Sequence, residues 1–229
     1  MNTQAQLRKC GPGRRGYRWI AVTSALVLSA CGVDSDVVQT ANFIIQSVDR
    51  TVPKVTRDAA AAVPYATMGV ELGDSAEVLV VLGSAVSDDL DWYAGDQVFI
   101  RTRRGRIVRT AGLPYDLGGL QSLPAGADES RNAGQASFAL DYPDLGIFSA
   151  PALCTRKDAG DENVEILGAQ IATRHVVEHC EVTALRWHFD NDFWQDRMSG
   201  YIWRSRQYIH PKSPPLTLEV LRPEQRGPG

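Results

Sequence analysis

The sequence predicts a mainly β domain, folded as an antiparallel β-sandwich or a meandering barrel-like sheet, with one helix at its N-terminal side. Two observations lead to this prediction. Residues 36–50 are the only long segment whose apolar side chains recur with the period of a helix. From residue 64 onward, short segments rich in β-branched and aromatic residues alternate with turns that contain glycine, aspartate or serine.

Composition and charge narrow the class of protein. The 229 residues are 44% hydrophobic, which is enough for one globular domain and too apolar for a disordered chain. The net charge of −3 argues against a nucleic-acid binder. Residues 1–30 hold five of the 24 basic residues and no acidic one, so 19 basic and 27 acidic residues remain, a net −8 for residues 31–229. An acidic body behind a basic leader indicates export.

Residues 1–30 have the three parts of a secretory signal. A basic region precedes the apolar run 19–30, which is too short to span a bilayer comfortably. The run ends in Leu28-Ser29-Ala30-Cys31, which matches the lipobox of bacterial lipoproteins. We therefore expect cleavage before Cys31 and lipidation of Cys31, with an N-terminal membrane anchor as the alternative. Arg14-Arg15 leaves twin-arginine export open beside the general route.

The helix comes next along the chain. Apolar side chains at five positions of residues 36–50 form one stripe, and Pro53 follows the end of the segment. The other face lacks the basic residues of a membrane-surface helix, which favours packing on the domain over contact with a membrane or partner. An alanine-rich link at residues 59–62 then leads to the β region.

The predicted strands follow in order. Segment 77–83 is a nearly continuous apolar run, which indicates burial on both faces. Arg104-Gly105 predicts a tight hairpin. Polar segments 124–135 and 157–163 are expected to be exposed loops, and Asp190-Asn191-Asp192 a turn. The strands are expected at 64–72, 77–83, 97–103, 106–111, 164–189 (one bent strand or two), 193–196, 201–209 and 216–221.

These elements divide the chain into four parts. Residues 1–30 form the signal peptide, and 31–62 carry the lipid anchor, the helix and the link. Residues 63–221 form a single mainly β domain, because no repeat or boundary interrupts them. Residues 222–229 are expected to form a disordered tail.

Several segments resemble the YjbF family, also called GfcB-like or group 4 capsule polysaccharide lipoproteins. They are PYATMGVELGDS (64–75), VVLG (80–83), LDWYAGDQVFIRTRRGRIVRTAGLPYDL (90–117) and FWQDRMSGYIWRSRQYIHP (193–211). The order and number of these matches carry the resemblance. It implies a role in making or exporting capsule or exopolysaccharide, and it provides no catalytic residues.

Two cysteines, Cys154 and Cys180, remain after removal of the leader and lipidation of Cys31. In an oxidising periplasm they can pair, and two buried free thiols are the alternative. His175, His179 and His188 lie near Cys180, but on a strand four residues span about 13 Å, which is too far for one metal ion. Ordinary sheet histidines are therefore expected, and no metal or cofactor. Asp190, Asp192 and Asp196 lack calcium-loop spacing.

The aromatic segment near residue 200 is a candidate glycan-binding site. If Arg197–Gly200 form a four-residue loop, Trp194 faces Trp203, with Tyr201 beside the loop. The tryptophans then either clamp the hairpin or offer a platform for sugar rings. Arg204 and Arg206 lie on the other face, where they meet an acidic polysaccharide or pair with surface carboxylates.

The sequence and the resemblance together predict a non-enzymatic lipoprotein of a Gram-negative envelope. It is lipid-anchored, on the periplasmic side of the outer membrane, and assists capsule or exopolysaccharide assembly or export. Its partners are then the membrane and either the polymer or export proteins, with no nucleic acid. The alternatives are a polysaccharide-modifying hydrolase or lyase, and a purely structural envelope lipoprotein. No nucleophile elbow, phosphate loop or dinucleotide fingerprint occurs in the sequence.

Overall fold

The structure is a computed structural model that describes residues 56–95, 97–124 and 134–224. All of these residues belong to one compact unit. The predicted signal peptide, Cys31 and the predicted helix 36–50 lie outside the described residues.

Twelve strands of the described residues form a single antiparallel sheet, which confirms the predicted mainly β class. Their spatial order is β5-β4-β3-β2-β1-β12-β11-β10-β9-β8-β7-β6, so the chain ends beside its first strand. The strands are β1 (Thr67–Leu72), β2 (Val78–Val86), β3 (Asp89–Ala94), β4 (Val98–Arg103), β5 (Arg106–Ala111), β6 (Gly119–Ser122), β7 (Gln135–Tyr142), β8 (Ile147–Ile166), β9 (Ala169–Val182), β10 (Trp187–Asp196), β11 (Ile202–Gln207) and β12 (Leu216–Arg222).

The two edge strands of the sheet approach each other, so the sheet is a nearly closed barrel. Near this seam the Thr110 amide donates to the Leu117 carbonyl over 2.9 Å, and the Leu117 amide donates to Thr110 Oγ1 over 2.9 Å. These bonds occupy backbone groups that an open edge strand leaves unpaired. The barrel-like alternative of the prediction is therefore the one observed.

One short helix, α1 (Arg57–Ala62), precedes the barrel where the sequence predicted only an alanine-rich link. Thr56 caps it, because Oγ1 of Thr56 accepts a hydrogen bond of 3.2 Å from the Ala59 amide. Arg222 of β12 donates to the Val63 carbonyl over 2.5 Å and so ties the end of α1 to the sheet.

Most predicted strands are found, and three predictions about turns and loops can be compared directly. The β4–β5 hairpin is confirmed, with Arg104 and Gly105 at φ 50° and 78°. The predicted loop 157–163 is wrong, since these residues belong to β8. The predicted turn Asp190–Asp192 is also wrong, because it lies within β10; the chain reverses earlier, at a 3-10 turn, Thr183–Leu185.

Strand β2 is not buried on both faces as its apolar run suggested. Only Val80 of this strand is fully buried, and its last residues, including Val86, are exposed. Leu82 and Ala85 of this strand line a cavity, so these side chains face open space rather than a second layer.

The core lies inside the barrel and is formed by side chains from most of the strands. Trp92 is 2% exposed, and its Nε1 donates to Thr102 Oγ1 over 2.9 Å. Because a buried indole N–H needs a partner, this bond lets a tryptophan occupy the interior. Next to it, the β4–β5 turn bends inward until a Cβ on Gly105 would lie 2.5 Å from Ile202 Cβ.

Gly112, directly after β5, tests how tightly the backbone is packed there. It has φ 87°, and a Cβ added to it would lie 1.9 Å from the Gln97 carbonyl oxygen. Gly112→Ala is expected to cost about 2–3 kcal/mol, from backbone strain plus a clash with main chain. Gly146→Ala is the control, since φ is 64° but the space is empty, and it should cost about 1 kcal/mol. Urea unfolding of both variants measures the difference, and equal losses would contradict the clash.

The predicted disordered tail begins later than expected. Residue 222 is the last residue of β12, and Glu224 Oε2 accepts a hydrogen bond of 3.1 Å from the Tyr201 hydroxyl. Residues 222–224 therefore continue from β12 to a contact with the β10–β11 hairpin, which the sequence did not predict. Residues 225–229 lie outside the described part of the chain.

Candidate binding cavity

A large cavity opens at one side of the barrel, between the β2–β3 hairpin and the β10–β11 hairpin. Its volume is about 1490 Å³, and strands β1, β2, β3, β11 and β12 supply side chains to its walls. Sites for small molecules typically have about 300–1,000 Å³. The cavity therefore has room for a ligand larger than one sugar ring.

The buried lining residues of the cavity are mostly apolar, with the hydroxyls of Thr102 and Ser205 among them. Met68, Trp92 and Leu218 are almost fully buried at its inner end. Leu82 and Leu90 are half-buried and face the open space. Both leucines pack partly against the core and leave the rest of their apolar surface to the cavity.

Tyr201 and Trp203 supply aromatic surface to the cavity from the β10–β11 hairpin. Their ring centroids are 5.1 Å apart at 70°, an edge-to-face arrangement. The bond from the Tyr201 hydroxyl to Glu224 fixes the orientation of that ring. Three of the five predicted glycan-binding residues, Tyr201, Trp203 and Arg204, therefore line the cavity, and the half-buried Trp203 ring is available for stacking.

The cavity entrance is polar, with acidic and basic groups paired. Arg104 Nη2, in the β4–β5 turn, lies 2.7 Å from Asp88 Oδ2, in the β2–β3 turn. On the opposite side, Asp196 accepts hydrogen bonds from the Met198 and Ser199 amides and from the Ser199 hydroxyl. The bonds from Ser199 hold the pKa of Asp196 below its ordinary value. Asp196 is therefore a turn-stabilising carboxylate rather than a proton donor.

The predicted pairing of Trp194 with Trp203 is wrong. Trp194 lies opposite Arg204, because the register shifts between Trp194 and Gln195. This bulge puts the two tryptophans on opposite faces of the sheet. Trp194 instead stacks on His175, with ring centroids 4.6 Å apart at 5°, and it does not line the cavity.

The two predicted arginines differ in position. Arg204 borders the cavity, but its Nη2 lies 2.5 Å from Glu219 Oε1 and donates to the Glu165 carbonyl over 2.9 Å. Arg206 lies outside the cavity, 3.9 Å from Asp192 Oδ2. Both arginines therefore have carboxylate partners, which was the structural alternative in the sequence interpretation.

Two of the histidines near Cys180, His175 and His179, lie apart on the sheet and pair with different carboxylates. His175 Nε2 lies 2.8 Å from Asp192, and its Nδ1 lies 3.2 Å from Glu162. His179 Nδ1 lies 2.6 Å from Asp190. Aspartates that the sequence assigned to a turn thus pair with histidines across two strands.

Cys154 and Cys180 face each other on β8 and β9 and form a disulfide, with S–S 2.04 Å and Cα–Cα 4.1 Å. Glu178 lies beside them, and the three residues bring potential ligand atoms within 4.8 Å of one another. The sulfurs are bonded to each other, however, and two arginines hold the carboxylate. Arg106 forms two bonds of 2.7 Å to Glu178, and Arg156 forms one of 3.1 Å.

Within the described residues, no helix is long and apolar enough to cross a bilayer. Comparison with protein families gives a match over residues 37–221 to the family described as "Group 4 capsule polysaccharide lipoprotein gfcB, YjbF". The match covers most of the chain. The chain belongs to the YjbF family.

Two curated relatives of this YjbF-family chain come from Escherichia coli K12. The uncharacterized lipoprotein GfcB is 28% identical over 169 residues, 71% of this chain and 78% of GfcB. The uncharacterized lipoprotein YjbF is 26% identical over 180 residues, 74% of this chain and 81% of YjbF. The resemblance first noted in the sequence is thereby confirmed at the level of the family.

The fold is also found in a solved structure. The crystal structure of the hypothetical lipoprotein YmcC from Escherichia coli K12 matches with a TM-score of 0.59 and 23% identity. The match covers 82% of this chain and 96% of YmcC. The barrel described here is thus a YmcC-like fold.

Sequence reasoning missed most of the cavity of this YjbF-family protein. Its walls come from strands at both ends of the chain, which meet only because β1 pairs with β12. The half-buried leucines of β2 and β3 looked like ordinary core residues in the sequence. The one available signal was Tyr201-Ile202-Trp203, which does lie at the cavity.

Proposed function

We propose that this chain is a lipid-anchored lipoprotein of the Gram-negative cell envelope, held by Cys31 on the periplasmic side of the outer membrane. It acts as a non-enzymatic accessory in capsule or exopolysaccharide assembly or export, and it holds a saccharide segment at the large cavity. The single observation that carries this proposal is the Tyr201–Trp203 pair in an open cavity of about 1490 Å³. The family description supplies the polysaccharide.

The proposed organisation follows the sequence assignment. Residues 1–30 are the signal peptide, and residues 31–62 connect the lipid to the barrel of residues 63–221. Helix α1 within the connecting part is held against β12 by Arg222. This connection brings Tyr65, which is 64% exposed, to the cavity entrance.

The aromatic pair suits a sugar because sugar C–H faces stack on aromatic rings. Three carboxylates line the cavity within the described residues, and each has a partner: Asp88 has Arg104, Asp196 has Ser199, and Glu224 has Tyr201. A hydrolase needs one carboxylic acid with a raised pKa and a second carboxylate across the bond. The lowered pKa of Asp196 is the opposite of what that acid requires. These contacts favour binding over hydrolysis.

The test is binding of the mature chain to the producing organism's own purified polysaccharide by isothermal titration. Trp203→Ala is expected to raise Kd about tenfold, since a ring worth about 1.4 kcal/mol of contact is removed. Trp194→Ala is the matched control, because Trp194 lies on the neighbouring strand but outside the cavity. It should bind like wild type.

Circular dichroism establishes that both variants are folded. Equal loss in the two variants, or no loss in Trp203→Ala, would contradict the assignment of the cavity. No binding by wild type would transfer the role to a protein partner in the export machinery.

A further inference from the structure

The cavity changes character from its entrance to its inner end. At the entrance lie charged and hydroxyl side chains, including Asp88, Arg104 and Ser199. Below them the walls are formed by Leu82 and Leu90 on one side and by residues of β11 and β12 on the other. A ligand that fills the cavity therefore meets polar groups first and hydrocarbon afterwards.

The inner part of the cavity offers few hydrogen-bonding groups to a sugar. They are the hydroxyls of Thr102 and Ser205, and each already accepts one hydrogen bond, from Trp92 Nε1 over 2.9 Å and from Gln207 Nε2 over 2.8 Å. A sugar hydroxyl placed against the leucines would lose its water and gain no partner, which is costly. A hydrocarbon chain has no such requirement and gains by leaving water.

We propose that the inner cavity binds the hydrocarbon chain of a glycolipid, while its saccharide head lies at Tyr201 and Trp203. The place of the saccharide head rests on the proposed function, and the place of the hydrocarbon chain rests on the apolar walls. The volume fits this division, since it exceeds the range of ordinary small-molecule sites. The protein would then meet the saccharide while it is still attached to lipid.

The entrance agrees with an amphiphile that arrives from a membrane surface. Three exposed apolar side chains lie on the elements that frame it: Tyr65 at 64%, Val86 at 67% and Met198 at 96%. They belong to the segment before β1, the last position of β2 and the β10–β11 turn, and Tyr65 itself lines the cavity. Apolar side chains around an opening ease the transfer of a hydrocarbon chain, because the chain need not cross water alone.

The experiment uses the mature chain, residues 31–229, with Cys31→Ser so that its own lipid is absent. The probes are octyl, decyl and dodecyl maltoside below their micelle-forming concentrations. Maltose serves as the head alone, and dodecylphosphocholine as a chain without a sugar. Each fully buried methylene raises affinity about fourfold. We expect Kd to fall at least tenfold from octyl to dodecyl maltoside, followed by titration of tryptophan fluorescence.

Two cavity variants and two control variants test where the hydrocarbon chain binds. Ala66→Phe places a large side chain in the cavity from the residue just before β1, and Leu90→Asn makes one wall polar. Ala111→Phe and Leu153→Asn make the same changes at exposed positions outside it. The cavity variants should lose most of the gain with chain length, and the controls should keep it. Circular dichroism checks folding, and either cavity variant suffices if the other does not fold.

The outcomes separate the two proposals. Equal affinity for maltose and dodecyl maltoside would overturn the hydrocarbon site and leave the saccharide site standing. A gain with chain length that both cavity variants retain would also overturn it, since binding would be non-specific. Tight binding of dodecylphosphocholine that Leu90→Asn abolishes would support the hydrocarbon site. If Trp203→Ala then binds the polysaccharide as wild type does, that result counts against the proposed saccharide site alone.

Discussion

Replacing Glu178 with glutamine is expected to destabilise the barrel by about 3–5 kcal/mol, because it leaves a buried arginine without its counter-charge. Glu178 is fully buried on β9, and the Arg106 side chain is only 11% exposed. Arg106 also lies over the rings of Phe138 and Phe193, 4.6 and 5.2 Å from their centroids. The guanidinium therefore has little access to water when the carboxylate is removed.

A double variant tells the buried charge apart from lost packing. Arg106→Met combined with Glu178→Met removes both charges and keeps side chains of similar length. It is expected to recover much of the loss, because a buried ion pair can often be replaced by apolar side chains at little cost. Urea unfolding of Arg106→Met, Glu178→Met and the double variant gives the coupling free energy between the two charges. If the losses simply add, the pair is not coupled.

The same carboxylate makes stability depend on pH. Burial alone would raise the pKa of Glu178, but the charges and hydrogen bonds of Arg106 and Arg156 outweigh it and lower the pKa from 4.5. A carboxylate with a lowered folded-state pKa stabilises the fold fully above its unfolded pKa. This contribution is lost as pH falls below about 4.5 and through the folded-state value. Glu181→Gln, at an exposed site on the same strand, should still lose stability at acidic pH, whereas Glu178→Gln should not show this loss.

The predicted strands did not include β3, β6, β7 or the first part of β8, and of these β3 is held by ion pairs. Strand β3 carries Asp89 and Asp91, which pair with Arg103 and Arg101 of β4 over 2.5 and 2.6 Å. Cross-strand ion pairs replace hydrophobic alternation there. In the same way, exposed residues 155–163 of β8 extend a hairpin whose regular partner is β9. Nothing in their polarity distinguishes such a strand from a loop.

The site was predictable only as far as it is local. Tyr201 and Trp203 are close in sequence, and the prediction placed both at the candidate site. Their partners are not local, because the cavity forms where β1 meets β12 and where β11 meets the β4–β5 turn. The predicted pairing of Trp194 was wrong for a similar reason. A single bulge changes which face a side chain occupies, and neither Trp194 nor Gln195 is a residue type that indicates a bulge.

The disulfide between Cys154 and Cys180 should contribute about 3.5 kcal/mol, the chain-entropy value for a 26-residue separation. The expected result is that Cys154→Ala with Cys180→Ala lowers the free energy of unfolding by about this amount. Both cysteines are nearly fully buried in the core, so alanine also removes some packing. Urea unfolding with and without a reductant measures the cross-link itself. The double variant is its own control, because reductant should leave it unchanged.

Reductant should lower the unfolding midpoint of wild type toward that of the double variant. If it has no effect on wild type, the two sulfurs are not bonded in the purified protein. Two buried thiols beside Glu178 would then remain, and the cross-link would contribute nothing to stability. A wild-type loss on reduction has the opposite meaning: β8 and β9 are joined covalently next to the ion pair that links β9 to β5. The disulfide and the Arg106–Glu178 ion pair would then connect β8, β9 and β5, although β5 is far from the other two in the sheet order.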